Sequence, residues 1–388
     1  MATRYATGTG VWNAIGSWGA SSGATGASVP VDGDDVIFDG NSGTITLDRA
    51  ERCDNLTLGS GTLTTSGTNY ALVVDEQMLV NGGTLTLNGS TVDFGNVAHS
   101  SGTINGNTST IDLNNGDSGT GYIWAQTGGT WNYDTSTVVC KESGKHLQTN
   151  AFYNLTVSAP SSANLTHWRD LSGNTMTVHG ALLITEGVFR RATTTDTLVV
   201  TGDVTIQDGG TFGRTNLSES GATTFGSLTI ASGGTYNATS GTTTITGEAS
   251  SYALKNDGTF THNNGLVVFD FAAHTLVKNN TFYDLELNMD ASSWELAFSD
   301  TSGNAVDILG DLTITQGTYD TLTTSDTHTI HGNTHIAANG LFFATPDHDT
   351  NKIIHHGLVT NLGTYKINDG TTVKMNGGIR QLGTLTIA

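Results

Sequence analysis

One pattern governs this chain: a glycine, then one residue that is usually threonine, then a large apolar residue, returning within runs at steps of 18 to 27 residues. The glycines are Gly43, Gly61, Gly83, Gly102, Gly129, Gly187, Gly210, Gly234, Gly258, Gly317, Gly340, Gly363 and Gly383. Their apolar partners are Ile45, Leu63, Leu85, Ile104, Trp131, Phe189, Phe212, Tyr236, Phe260, Tyr319, Phe342, Tyr365 and Leu385. The most regular runs step by 23, 24 and 24 residues from Gly187 and by 23, 23 and 20 from Gly317. A period of this size marks a stacked architecture in which each repeat leans on its neighbours.

The spacing has a physical meaning. Glycine accepts the backbone geometry of a corner. Two residues later a strand returns its side chain to the same face, so the apolar member points inward and the threonine between faces water. Alternating runs such as 203–206, 227–230, 242–246 and 311–315 supply further sides of each coil. No long apolar stripe of helical period occurs. The predicted fold is therefore all-β: a single-stranded, right-handed parallel β-helix (β-solenoid) with about 23 residues per coil, or about 16 coils over 388 residues.

Composition agrees. Apolar residues make up 36% and charged residues 13% of the chain, with 50 Gly and only 3 Pro. That is too little apolar mass for one thick core, and too little charge and too much pattern for disorder. Thin layers that satisfy their backbone by pairing with neighbours suit both numbers. The formal net charge of −20 argues against nucleic-acid binding, which draws most of its affinity from phosphate contacts by Lys and Arg. Cys53 and Cys140 make no disulfide framework and are expected as free, buried thiols. No stretch is apolar and long enough for a bilayer span or a secretory leader, so the expected partners exclude membranes.

A longer period overlies the first. FYNLTV at 152–157 returns as FYDLEL at 282–287, and residues 180–189 and 196–206 return at the same shift of 130. Residues 1–40 differ from the rest and read as an N-terminal cap or attachment segment. A first β-helix section then covers 41–130, one block covers 131–260, and its second copy covers 261–388.

The opening ATRY…GTGVWN…SW…GASVPVDGDDVIFDGNSGTITLD, followed by CDNLTL, resembles the start of structural proteins of tailed bacteriophages. FYNLTV, SGGTYNATSGTTTITG and GTFTHNNGLVVF resemble β-helical modules of phage fibres and bacterial surface proteins. The resemblance covers nearly the whole chain and implies a fibre, spike or similar virion appendage. Such a protein is expected to assemble with other virion proteins or copies of itself and to contact the host, with surface glycans as the candidate ligands. It implies no enzyme and no cofactor. A bacterial adhesin and a polysaccharide-depolymerising tail spike are the alternatives.

Individual residues support chemistry less strongly. Trp168, flanked by His167 and Arg169, and Trp294 fall in coils without the marker glycine and are the candidate glycan contacts; the competing reading packs both inward. A glycosidase needs two carboxyls at a set separation. Asp170, Asp300, Glu186 and Glu295 are available, but corner aspartates usually bond their own turn. Asp32, Asp34, Asp35 and Asp39 offer hard oxygen ligands without a calcium-loop pattern. His328, His331, His335, His355 and His356 are dense enough to raise zinc, yet they occupy ordinary rung positions. Asn-Leu-Thr triplets at 55, 154 and 164 read as strand grammar. Thr-x-Thr pairs after the glycines suggest an ice-binding array, broken elsewhere by Asn, Arg, Asp and Lys.

Overall fold

In a computed structural model the chain is all-β, with 60% of residues in strands and 1% in helix, wound as a β-solenoid of about 13 turns roughly 23 residues apart. The described residues are 1–114, 121–142, 144–149, 151–160, 165–168 (backbone), 175–191, 194–214, 219–278, 280–298, 305–321, 327–344, 352–368 and 371–387. The turns are fewer than the 16 that length divided by 23 suggests. Two compact units result, Met1–Ala192 and Thr193–Ala388.

Unit one opens with Thr3–Ala6, which pairs antiparallel with Trp18–Gly19 and parallel with Asp35–Phe38. The Trp18 indole donates to the Trp12 carbonyl at 2.6 Å, and the two rings meet edge to face at 4.8 Å. Both indoles are fully buried, so they close the end of the interior with apolar mass. From there the pairing is parallel and in register. Ile45, Leu63, Leu85, Ile104 and Trp131 form one inward column, coil on coil. Their flanking residues form two outward columns: Thr44, Thr62, Thr84, Thr103, Thr130 on one side and Thr46, Thr64, Thr86, Asn105, Asn132 on the other. This alternation follows from the two-residue period of a strand.

Unit two repeats the plan with larger rings. Phe212, Tyr236 and Phe260 stack in register, with centroids 5.4 and 5.5 Å apart. Tyr319, Phe342 and Tyr365 lie nearly parallel, at 4.9 and 4.7 Å. The spacing matches that between hydrogen-bonded strands, so the backbone ladder holds each ring in van der Waals contact with the next. Of the thirteen apolar residues that follow a marker glycine, all are buried except Phe260 and Leu385. Among the described residues, Thr259–Thr261 pairs on one side only, with Thr235–Asn237, which leaves Phe260 half-covered. Thr384–Ile387 likewise pairs only with Thr364–Ile367, and Leu385 is exposed.

The marker glycines serve two physical ends. Gly102 takes φ +81°, a left-handed conformation that favours glycine. Gly340 does not; there a Cβ would lie 2.4 Å from the Ile314 carbonyl oxygen of the coil before. Coil-to-coil crowding therefore fixes some of these glycines where backbone freedom does not. Other corners use Asn and Asp in the left-handed region. Asn88, Asn107 and Asp134 have φ of 52°, 52° and 45°. The amide of Asn88 donates to Asn107 Oδ1 and that of Asn107 to Asp134 Oδ2, which stacks the turns as the strands are stacked.

Both cysteines are free and buried. Among the described residues no helix is long and apolar enough to cross a membrane.

Candidate functional site

Among the described residues, one surface feature lies on one side of unit two, where three successive strands run parallel with a bulge between Tyr252 and Leu254. Tyr252–Asn256 pairs with Thr275–Val277, which pairs with Glu295–Phe298. Alternation sends Leu254, Val277 and Phe298 inward and leaves Tyr252, Leu276 and Glu295 at the surface. Between these strands is a hollow of about 150 Å³ lined by Ser251, His274, Thr275, Leu276, Glu295 and Ala297.

Trp294 stands at its edge, half-buried, with its ring 5.1 Å from that of His274 at an interplanar angle of 68°. His274 Nδ1 lies 3.9 Å from Glu295 Oε2. Two backbone bonds fix the tryptophan: its amide donates to the Ala291 carbonyl at 3.1 Å, and its carbonyl accepts from Thr318 of the next coil at 2.8 Å. Opposite, Ser250 and Ser251 hold φ of 49° and 71°, a conformation costly for residues with a Cβ. The Ser251 carbonyl accepts from the Leu276 amide at 2.9 Å and from the Thr275 hydroxyl at 3.2 Å. The rim is thus held by the neighbouring coils. Chemically the hollow offers apolar contact from Leu276 and Ala297, an acceptor in Glu295 and an imidazole against which Trp294 packs.

Trp294 is therefore placed neither in the interior nor free of the protein. Trp168 is not its counterpart. At the shift of 130 residues Trp168 aligns with Phe298, a fully buried ring, and its backbone stands in register with Leu147 and Arg191. The side chains of Leu165–Trp168 lie outside the described residues, as does Arg169. Trp168 falls in unit one and Trp294 in unit two. His274, Leu276 and Tyr252 escaped the sequence reading, because only winding brings residues 252, 276 and 294 side by side.

The other candidates disperse. Asp170 and Asp300 lie outside the described residues; Glu186 belongs to unit one and Glu295 to unit two. The N-terminal carboxylates turn to separate partners. Asp34 accepts from the Ala2 amide, Asp35 from the Asn55 side chain, Asp39 from the Asn41 amide, and Asp32 pairs with Arg52. Hydrogen bonds from Ser22 and Asn41 hold Asp39 below the ordinary carboxylate range. His328 and His355 point inward, whereas His331 and His356 stack in solvent, centroids 5.2 Å apart. Among the described residues no three His, Cys, Asp or Glu side chains gather as metal ligands. In the threonine array of unit one, Asn105 donates to Thr86 and Asn132 to Asn105; these polar groups satisfy one another.

A second hollow, of about 270 Å³, lies in unit one beside Asp35, Asn55 and Gln77. Its amides are engaged in a ladder of their own: Asn55 donates to Asp35, and the Gln77 amide donates to Asn55.

Comparison with known proteins adds no relative: no family model, curated protein or solved structure matches the chain.

Proposed function

We propose that this chain is a structural protein of a tailed-bacteriophage virion, a stiff fibre- or spike-like appendage that meets the host surface. The observation that carries the reading is the continuous inward stack of apolar and aromatic rings, locked by in-register parallel pairing within each unit. Such a stack resists bending, because successive coils are tied together by strand pairing on several sides. The resemblance of the opening residues to phage structural proteins supplies the setting. A net charge of −20 keeps copies apart in solution at the concentrations reached during assembly. Contact with a host then rests on shallow side surfaces, strengthened by many copies acting together.

Mass spectrometry of purified particles and immunogold microscopy with an antibody to unit two test the assignment. The expected result is a peptide signal in particles and gold on an appendage. Gold on uninfected bacterial surfaces, with none on particles, would transfer the protein to the adhesins. Release of new reducing ends from capsular polysaccharide would make it a depolymerase.

A further inference from the structure

We propose that the hollow beside Trp294 is a subsite for one neutral sugar ring of a surface glycan. The inference deepens the host-contact reading and rests on it for its biological setting, but its chemistry comes from the lining. A pyranose presents an apolar C–H face and a rim of hydroxyl donors. Leu276 and Ala297 supply the surface for the first, beside the Trp294 ring that packs against His274; the Glu295 carboxylate accepts from the second, and the exposed His274 ring completes the polar side.

Size and charge narrow the class. At about 150 Å³ the hollow is smaller than the roughly 300–1,000 Å³ of sites that enclose drug-sized ligands, so it suits a single ring and not an oligosaccharide. No Lys or Arg lines it. An acidic sugar would set its carboxylate against Glu295 with no permanent cation to offset the repulsion. A neutral hexose or N-acetylhexosamine meets no such opposition.

The rim is built before any ligand arrives. Ser250 and Ser251 are held in the left-handed region, and the Ser251 carbonyl is pinned by Leu276 and Thr275. The Trp294 backbone is tied to the coil that follows. A preformed surface loses little freedom on binding. One ring in a shallow site still binds weakly, so useful adhesion needs several copies.

Saturation-transfer NMR of the full chain with methyl glycosides of glucose, galactose, mannose, N-acetylglucosamine and N-acetylgalactosamine tests the proposal, with methyl glucuronide as the acidic control. At least one neutral glycoside should receive transfer at its ring C–H protons, and the glucuronide should receive less. W294A should weaken binding by about tenfold and E295Q by several-fold, with unfolding midpoints unchanged because both side chains are half-exposed. If W294A does not fold, E295Q and H274A carry the comparison on folded protein. Absence of transfer from every neutral glycoside, undiminished binding in W294A and E295Q, or preference for the glucuronide would overturn the subsite. Particle mass spectrometry reads the virion role separately. A particle-borne chain that binds no sugar refutes the subsite alone, and a sugar-binding chain absent from particles refutes the virion role alone.

Discussion

The Tyr319 hydroxyl and Nδ1 of His328 are hydrogen-bonded across 2.9 Å inside unit two, where both side chains are fully buried. At the shift of 130 residues the same positions hold Phe189 and Leu198, also fully buried. One coil position thus carries a polar pair in one copy and an apolar pair in the other. On the next coil, His355 bonds the Thr334 hydroxyl at 2.8 Å through Nδ1 and Tyr365 at 2.9 Å through Nε2.

The polar pairs make unit two sensitive to acid. Burial pushes His328 down to about 3 and His355 down to about 4 from 6.5. Below pH 6.5 the unfolded chain takes up protons at these positions and the folded chain does not, so stability falls as pH drops toward the folded values. Between pH 7 and 5 each histidine contributes about 2 kcal/mol of loss. The double variant Y319F/H328L, which installs the residues of the other copy, should lose about 2 kcal/mol less than the parent over that interval. Urea unfolding at the two pH values measures the difference; equal losses would show that His328 does not stay neutral in the fold.

The inward columns predict a contrast between neighbours. Phe212 and Phe342 are buried and Thr211 is half-exposed. Phe212→Asp and Phe342→Asp each put a carboxylate among stacked rings and should cost more than about 4 kcal/mol. Thr211→Asp should cost less than about 1 kcal/mol. Comparable small losses in chemical denaturation would contradict the assignment of faces.

Glycines separate in the same way. A Cβ on Gly332 would lie 2.3 Å from the Gly310 carbonyl oxygen, whereas one on Gly67 meets nothing within 4 Å. Gly332→Ala should push two coils apart and destabilise by about 1–3 kcal/mol. Gly67→Ala should be neutral or slightly stabilising, since it restricts the unfolded chain without crowding the folded one. Thermal midpoints of the two variants give the test.

Burial raises both thiols, Cys140 to about 12 and Cys53 further. The reactive thiolate is then scarce at neutral pH. A colorimetric disulfide reagent should label neither cysteine in the native protein and both after denaturation. Rapid native labelling of either would place it at the surface.

The glycine spacing was enough to reveal the winding, the inward column of apolar residues from Ile45 to Tyr365 with Phe260 half-covered, and the scarcity of helix. Each is a property of a strand's two-residue alternation and a corner's geometry, and both are written along the chain. What it left undetermined is lateral. Residues about 20 apart become neighbours only once the length of every connection is known, so the sequence held no sign that His274 and Leu276 would flank Trp294. Nor could it separate inward His328 and His355 from outward His331 and His356, which follow them by three residues and by one. Periodicity along one chain fixes which face a residue takes. Only the stacking of coils decides what stands beside it, because that contact is set by hydrogen bonds between strands and not by order in the chain.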